Sequence, residues 1–208
     1  MLTILKTALI VLALQVQLQA AQGGVGDGGP ATSAQLDYPG VVKVDAAGNL
    51  YFAETNKSRI RKVTASNGVI DTIAGGTRGT GGDGGPATAA QFFNPQDIAV
   101  DTAGNLYIAD MTNSRIRMVT TDGRVSTLTI SPNPFALAVD VTGSLYVAEL
   151  ANRVRRVTAG TFQTVAGNGT RGYSGDGGPA PSAQLSMHLG ANIALDAAGN
   201  VYIADAGN

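Results

Sequence analysis

The chain has 208 residues, 44% of them hydrophobic and 14% charged, with a formal net charge of −1. That length and apolar share allow one domain with a buried core and exclude a disordered composition. The lack of cysteine excludes disulfides, thiolate metal sites and cysteine nucleophiles, and a pI near 5.7 with no Lys/Arg block excludes the basic footprint of a nucleic-acid binder.

Residues 1–22 read as a secretory signal peptide. Lys6 gives a weakly basic start, Ala8 to Leu14 is an unbroken apolar run, and small residues follow at Ala20, Ala21 and Gly23. Gln15, Gln17 and Gln19 interrupt too early for the roughly 20 apolar residues of a spanning helix. An uncleaved anchor and a misassigned start are the alternatives. Residues 23–208 form the mature domain, with no stable membrane span expected after signal removal.

From Gly23 onward the chain is periodic. The stretch Asp101-Thr102-Ala103-Gly104-Asn105-Leu106-Tyr107-Ile108-Ala109-Asp110 recurs from Asp45 to Glu54, Asp140 to Glu149 and Asp196 to Asp205. From Asp45 to Asp101 is 56 residues, to Asp140 a further 39, and to Asp196 56 again. The long intervals carry an extra Gly-Asp-Gly-Gly-Pro-Ala segment, at Gly82 to Ala87 and Gly175 to Ala180, and a third copy runs from Gly26 to Ala31.

One unit divides into four strands by its alternation and turn residues: Asp97 to Asp101, Leu106 to Asp110, Arg115 to Thr120 and Val125 to Ile130. In the first turn the Asp101 carboxylate is placed to accept from the backbone two residues on, and Gly104 supplies a positive φ. Four short antiparallel strands in about 40 residues describe a propeller blade. Stacked blades cover both faces of a sheet, which explains why Leu106 to Ala109 run together instead of alternating.

These residues carry a family resemblance. Pro95 to Asp101, Gly104 to Asp110 and Asn113-Ser114-Arg115-Ile116-Arg117, repeated at Gly48 to Arg61 and Gly143 to Arg155, resemble the NHL-repeat proteins, in particular the secreted bacterial, TolB-like kind. The resemblance implies an all-β, six-bladed β-propeller and implies nothing about activity. Blades are expected at Val41 to Gly75, Asp97 to Ile130 and Phe135 to Gly167, with a fourth beginning near Asn192. Three and a half blades do not close, so the chain reads as a fragment of a longer product; assembly with another chain that supplies the missing blades is the alternative.

Glu54, Asp110, Glu149 and Asp205 end the second strand of each unit. As a set they suggest a cation site. The repeat itself favours a structural role, each acid accepting amides of the following turn or pairing with Arg59, Arg115 or Arg153 of its own blade. Each Gly-rich insert is expected to form a turn plus about one helical turn, with its proline at the first helical position, joining one blade to the next. A row of inserts on one face would form a binding rim. Their spacing fits neither calcium repeats nor a phosphate loop. His188 is the single histidine, too few for the zinc site of related propeller enzymes, and is expected to be solvated or hydrogen-bonded. Tyr51, Tyr107, Tyr146 and Tyr202 share one position and are expected to pack between blades.

The reading is an exported, non-enzymatic binding scaffold, with no catalytic, cofactor-binding or metal-binding residue singled out. Its expected partner is a protein or carbohydrate on the propeller face, not nucleic acid, with pairing through the open edge of the last blade as a further mode. A propeller enzyme of lyase or lactonase type with its active site in other blades, and a structural segment of a larger envelope or sensor protein, are the competing readings.

Overall fold

The computed structural model describes residues 26–158 and 160–208, and the signal-peptide reading lies outside them. Strands and Gly-rich turns account for almost all of these residues. Blade 1 holds β1 (Gly29–Pro30), β2 (Pro39–Val44), β3 (Leu50–Glu54), β4 (Arg59–Val63) and β5 (Val69–Gly75), in the sheet order β1-β5-β4-β3-β2. Two short strands, β6 (Thr77–Arg78) and β7 (Gln91–Phe92), pair in parallel around the second insert. Blade 2 is β8 (Pro95–Val100), β9 (Leu106–Asp110), β10 (Arg115–Val119) and β11 (Val125–Ile130); blade 3 is β12 (Pro134–Val139), β13 (Leu145–Glu149), β14 (Arg153–Thr158) and β15 (Thr161–Ala166). The fourth sheet has two strands, β16 (Asn192–Leu195) and β17 (Val201–Ala204). The architecture is an all-β arc of propeller blades whose sheets do not close into a ring.

The Asp turn between the first and second strands is built as the sequence requires. Asp101 Oδ1 accepts from the amides of Ala103 at 3.0 Å and Asn105 at 2.8 Å. Its Oδ2 accepts from Asn105 Nδ2 at 2.9 Å and from the Tyr107 hydroxyl at 3.2 Å. Gly104 sits at φ +90°, a region a side chain rarely adopts. Asp45 and Asp196 are bonded in the same way to Asn49 and Tyr51 and to Asn200 and Tyr202. In blade 3, Thr142 and Ser144 bond Asp140 instead. Burial pushes the Asp45 and Asp101 carboxyls up, but the hydrogen bonds outweigh it and hold both below the ordinary value. Burial and the neighbouring Asp45 carboxylate push the Tyr51 phenol up to about 12.

Every residue of β3, β9 and β13 is buried, because each of these strands is central in its sheet and both of its faces are covered. Tyr51 and Ile60 pack with Ile98 and Ile108 between blades 1 and 2, and Tyr107 with Leu137 and Val147 between blades 2 and 3. Tyr146 packs with Met187 and Ile193 against the fourth sheet. The inter-blade expectation therefore holds for three of the tyrosines. It fails for Tyr202, which is 58% exposed, no sheet among the described residues covering its face of β17. The first strands of successive blades lie side by side, β2 on β8, β8 on β12 and β12 on β16, so they form the hub of the arc.

Candidate functional site

Three of the four repeated acids are deeply buried charges. Glu54 and Asp110 are fully buried, and Glu149 is 1% exposed. Glu54 binds Arg59 Nε and Arg61 Nη1, the latter at 3.0 Å; Asp110 binds Arg115 Nε at 2.7 Å. The amides they accept come from upstream and not from the following turn: Asp37 N donates to Glu54 at 2.6 Å, Phe93 N to Asp110 at 2.7 Å, and Ser186 N to Asp205 at 2.7 Å. Glu54 and Asp110 thus tie the segment entering their blade to the second and third strands, while Asp205 ties Ser186 to the end of β17. The turn after the acid offers a side chain instead, Asn113 Nδ2 reaching Asp110 at 2.8 Å.

Blade 3 corrects a second expectation. Glu149 pairs with Arg155 Nη2, not with Arg153, and accepts the Ser131 hydroxyl at 2.5 Å. The loop after Glu149 is one residue shorter than in the other blades, and Asn152 N closes it on Glu149 O at 3.1 Å. Arg153 is carried outward to the Asn168 carbonyl at 3.3 Å. Arg155 also lies over the Phe162 ring, 3.8 Å from its centroid.

The inserts do more than link blades. Each contains a short 3-10 turn, Ala31–Ser33, Ala87–Ala89 and Ala180–Ser182, with Pro30, Pro86 and Pro179 at the N-cap and not at the first helical position. The helical turn of the second insert packs on β5 of the preceding blade. Its Gly-rich part folds over the outer strand of the following blade: Gly84 N donates to Val125 O at 2.7 Å, and Val125 N to Gly85 O at 3.0 Å. Gly82 lies so close to Ala90 that a Cβ would sit 2.7 Å from its Cα, so the turn admits no side chain there. Asp83 binds Arg117 Nη2 at 2.7 Å and the Thr127 hydroxyl at 2.8 Å. Asp27 does the same in blade 1, taking Arg61 Nη2 at 2.8 Å and the amide and hydroxyl of Thr72. The first insert adds β1 to the edge of β5, so an insert covers the otherwise open outer edge of its sheet.

One charge pair at the hub is not repeated and was not legible in the sequence. Asp97 lies at a bulge in β8 and is fully buried. Its Oδ1 accepts from Ile98 N at 2.8 Å, and its Oδ2 from Leu137 N at 2.7 Å. Lys43 Nζ reaches Asp97 Oδ2 at 3.3 Å and donates to Leu137 O at 3.1 Å. Blades 1, 2 and 3 are joined through this one cluster. Burial pushes the Asp97 carboxyl above its ordinary value, and Lys43 with the two amides opposes that shift.

His188 is exposed, with Nδ1 2.7 Å from Leu189 O. Among the described residues no three His, Cys, Asp or Glu side chains gather in a metal-binding group, and no helix is long and apolar enough to cross a membrane. The four repeated acids stay in separate blades, so the structure does not bring them together as a cation site.

Residues 75–133, the second insert and blade 2, match the family model of the Teneurin NHL domain. Human Teneurin-4 is 37% identical over 103 residues, covering 43% of this chain and 4% of the relative, so the chain spans a small part of that protein's length. Among solved structures, a chain of the nidogen/laminin complex superposes with a TM-score of 0.61 at 16% identity, over 83% of this chain and 59% of that one. Virginiamycin B lyase from Staphylococcus aureus gives 0.55 at 14% identity, over 80% and 48%. Those identities speak for fold alone. The chain folds as blades of a β-propeller arc, and its second insert and blade 2 are similar to an NHL domain.

Proposed function

We propose that the chain is a non-enzymatic interaction scaffold, exported by its leader, with a protein or carbohydrate ligand on the face formed by the inserts. The bacterial, TolB-like placement implied by the resemblance belongs to the same proposal. The observation that carries the reading is the saturation of the buried charges. Glu54, Asp110, Glu149 and Asp97 are all spent on arginines, a lysine, a hydroxyl or amides. A general base must lie within hydrogen-bond reach of a substrate proton, and these four acids are buried, none more than 1% exposed. The groups turned to solvent are instead Asp83 of the second insert, Arg124 of the blade 2 turn that bonds this insert at Gly84 O, and the exposed Tyr173. A structural neighbour drawn from a protein–protein complex agrees with this use of the fold.

The test has two arms. The protein is offered a lactone and a streptogramin, each with and without calcium or magnesium, and ring opening is followed by mass spectrometry; no turnover above buffer is expected. In parallel, Arg124→Ala and Tyr173→Ala variants are compared with the parent for binding to glycan and extracellular-protein arrays. A ligand lost on rim substitution supports the scaffold. Ring opening abolished by Asp97→Asn would replace it with an enzyme.

A further inference from the structure

Blades 1 and 2 hold their inserts with the same pair of side chains. In blade 1, Gly28 N donates to Ile70 O at 3.0 Å at the edge of β5. Asp27 takes the amide and hydroxyl of Thr72 at 3.0 and 3.2 Å and Arg61 Nη2 at 2.8 Å. In blade 2, Gly84 and Gly85 bond Val125 of β11, and Asp83 takes Thr127 and Arg117. The receiving residues face each other across two strands, Arg61 opposite Thr72 and Arg117 opposite Thr127.

Blade 3 has all four strands and keeps the receiving pair, but its repeat carries no insert. Arg155 stands opposite Thr164, and Val157 opposite Phe162, as Val63 stands opposite Ile70 and Val119 opposite Val125. The link before the blade is Ser131-Pro132-Asn133, with no aspartate. The helical turn of the third insert packs on β15, yet β15 has β14 as its one neighbour in the sheet among the described residues. Ile70 and Val125 are buried, whereas Phe162, in the same register, is half-buried. The alternation of an antiparallel ladder turns the Thr164 amide outward, as it does that of Thr72. Arg155 meets Glu149 and no second carboxylate among the described residues. Arg61 shows that one guanidinium serves both a blade acid and an insert acid, with Nη1 on Glu54 and Nη2 on Asp27. Strands β14 and β15 together hold Arg153, Arg155 and Arg156 and no acid.

We propose that the outer edge of β15, with Arg155 and Thr164, is a docking site for an extended segment of a partner protein that carries Asp-Gly-Gly-Pro. The segment adds beside Phe162 through main-chain hydrogen bonds. Its aspartate takes the Thr164 amide and hydroxyl and the Arg155 guanidinium. Glycine follows the aspartate because Gly28 and Gly84 stand at φ +76° and +77°. Edge addition supplies affinity through the backbone, and the carboxylate sets register. The same receiving pair, filled by an aspartate in blades 1 and 2, identifies the occupant, and the arginines of β14 complement its charge. The inference rests on the scaffold reading and adds a second surface, away from the insert rim.

The probe is a synthetic peptide of residues 80–91, which carries Asp83-Gly84-Gly85-Pro86. Titrated into the isotope-labelled full chain, it should bind saturably and shift the Phe162 and Thr164 amide resonances, leaving those of Val125 and Thr127 in place. A peptide with Asp83→Asn should bind about tenfold more weakly or worse, as loss of a charge-assisted bond implies. Thr164→Val in the protein should weaken the parent peptide about fivefold and leave the Asp83→Asn peptide unchanged, the coupling expected of groups in contact. Because Arg155 also holds the buried Glu149, Thr164 and the peptide carry the test without disturbing that pair. Equal affinity for the two peptides, no binding, or shifts at Val125 and Thr127 in place of Phe162 overturns the proposal. A chain that self-associates through β15 and is dissociated by the peptide puts a second copy there and overturns the choice of partner. Absent peptide binding with an insert-rim ligand still bound overturns this inference alone. Peptide binding with no rim ligand overturns only the choice of rim.

Discussion

Blades 2 and 3 have the same four strands and the same buried acid, but blade 2 is preceded by an insert and blade 3 by the short Ser131-Pro132-Asn133 link. With the insert, both arginines of the third strand are used inward, one on Asp110 and one on Asp83. Without it, one arginine reaches the acid, the Ser131 hydroxyl bonds the same acid, and the other arginine turns to the rim. The acid and one arginine are what a blade needs. The insert is an added clamp that converts the outer edge into a polar surface.

The comparison can be broken at four places. The largest effect is expected from removing the common acid: Asp110→Ala and Glu149→Ala should each lose about 4 kcal/mol in urea unfolding, because one leaves the buried Arg115 and the other the partly buried Arg155 without its carboxylate. Unequal losses, with blade 3 much the less affected, would mean the insertless blade does not depend on its acid. Next is the hub. Lys43→Met should lose about 3 kcal/mol, since Asp97 is left buried without a cation, and the deficit should shrink as acid protonates Asp97. The sign follows from the raised carboxyl: its neutral form is favoured in the fold, so its contribution is present at low pH and lost as pH rises.

The clamp should matter less for stability. Asp83 is half-exposed, so screening reduces its pairing, and Asp83→Ala should lose about 1.5 kcal/mol. Its mark should be local, with faster hydrogen exchange at the amides of Gly84 and Val125. Uniform acceleration across the chain would show that the insert is not a separable clamp. The smallest effect lies in the turns. Tyr107→Phe should lose about 1 kcal/mol and Tyr146→Phe much less, because Thr142 and Ser144 bond Asp140 in blade 3. The lowered Asp45 and Asp101 carboxyls stabilise above their ordinary pKa, and that stability is lost as pH falls through the lowered values. The raised Tyr51 phenol has the opposite sense: its contribution is complete below the ordinary phenol range and lost as pH rises to about 12. Spectrophotometric titration of the parent and of Tyr51→Phe checks the alkaline limb.

What was legible before folding follows the reach of each interaction. The Asp101 turn uses partners at most six residues away, so its Asp, Gly, Asn and Tyr recur as a visible pattern. The arginine two residues beyond the expected one in blade 3 was not legible, because a one-residue shortening of a loop redirects a side chain without changing the repeat. The upstream amides were missed for another reason: any residue supplies a backbone N–H, so Asp37, Phe93 and Ser186 share no side chain that would mark them.

The sequence by itself determined the strand pattern, the turns, the blade count and the buried faces, because hydrophobic periodicity and turn chemistry act over a few residues. Only the tertiary structure decided that the inserts fold over the outer edges of their own blades, through contacts some 44 residues apart such as Thr127 on Asp83. It also decided the hub, where Lys43 meets the Leu137 carbonyl across 94 residues. Such pairs join different repeats, and stacking of the blades, not any local signal, brings them within hydrogen-bond distance.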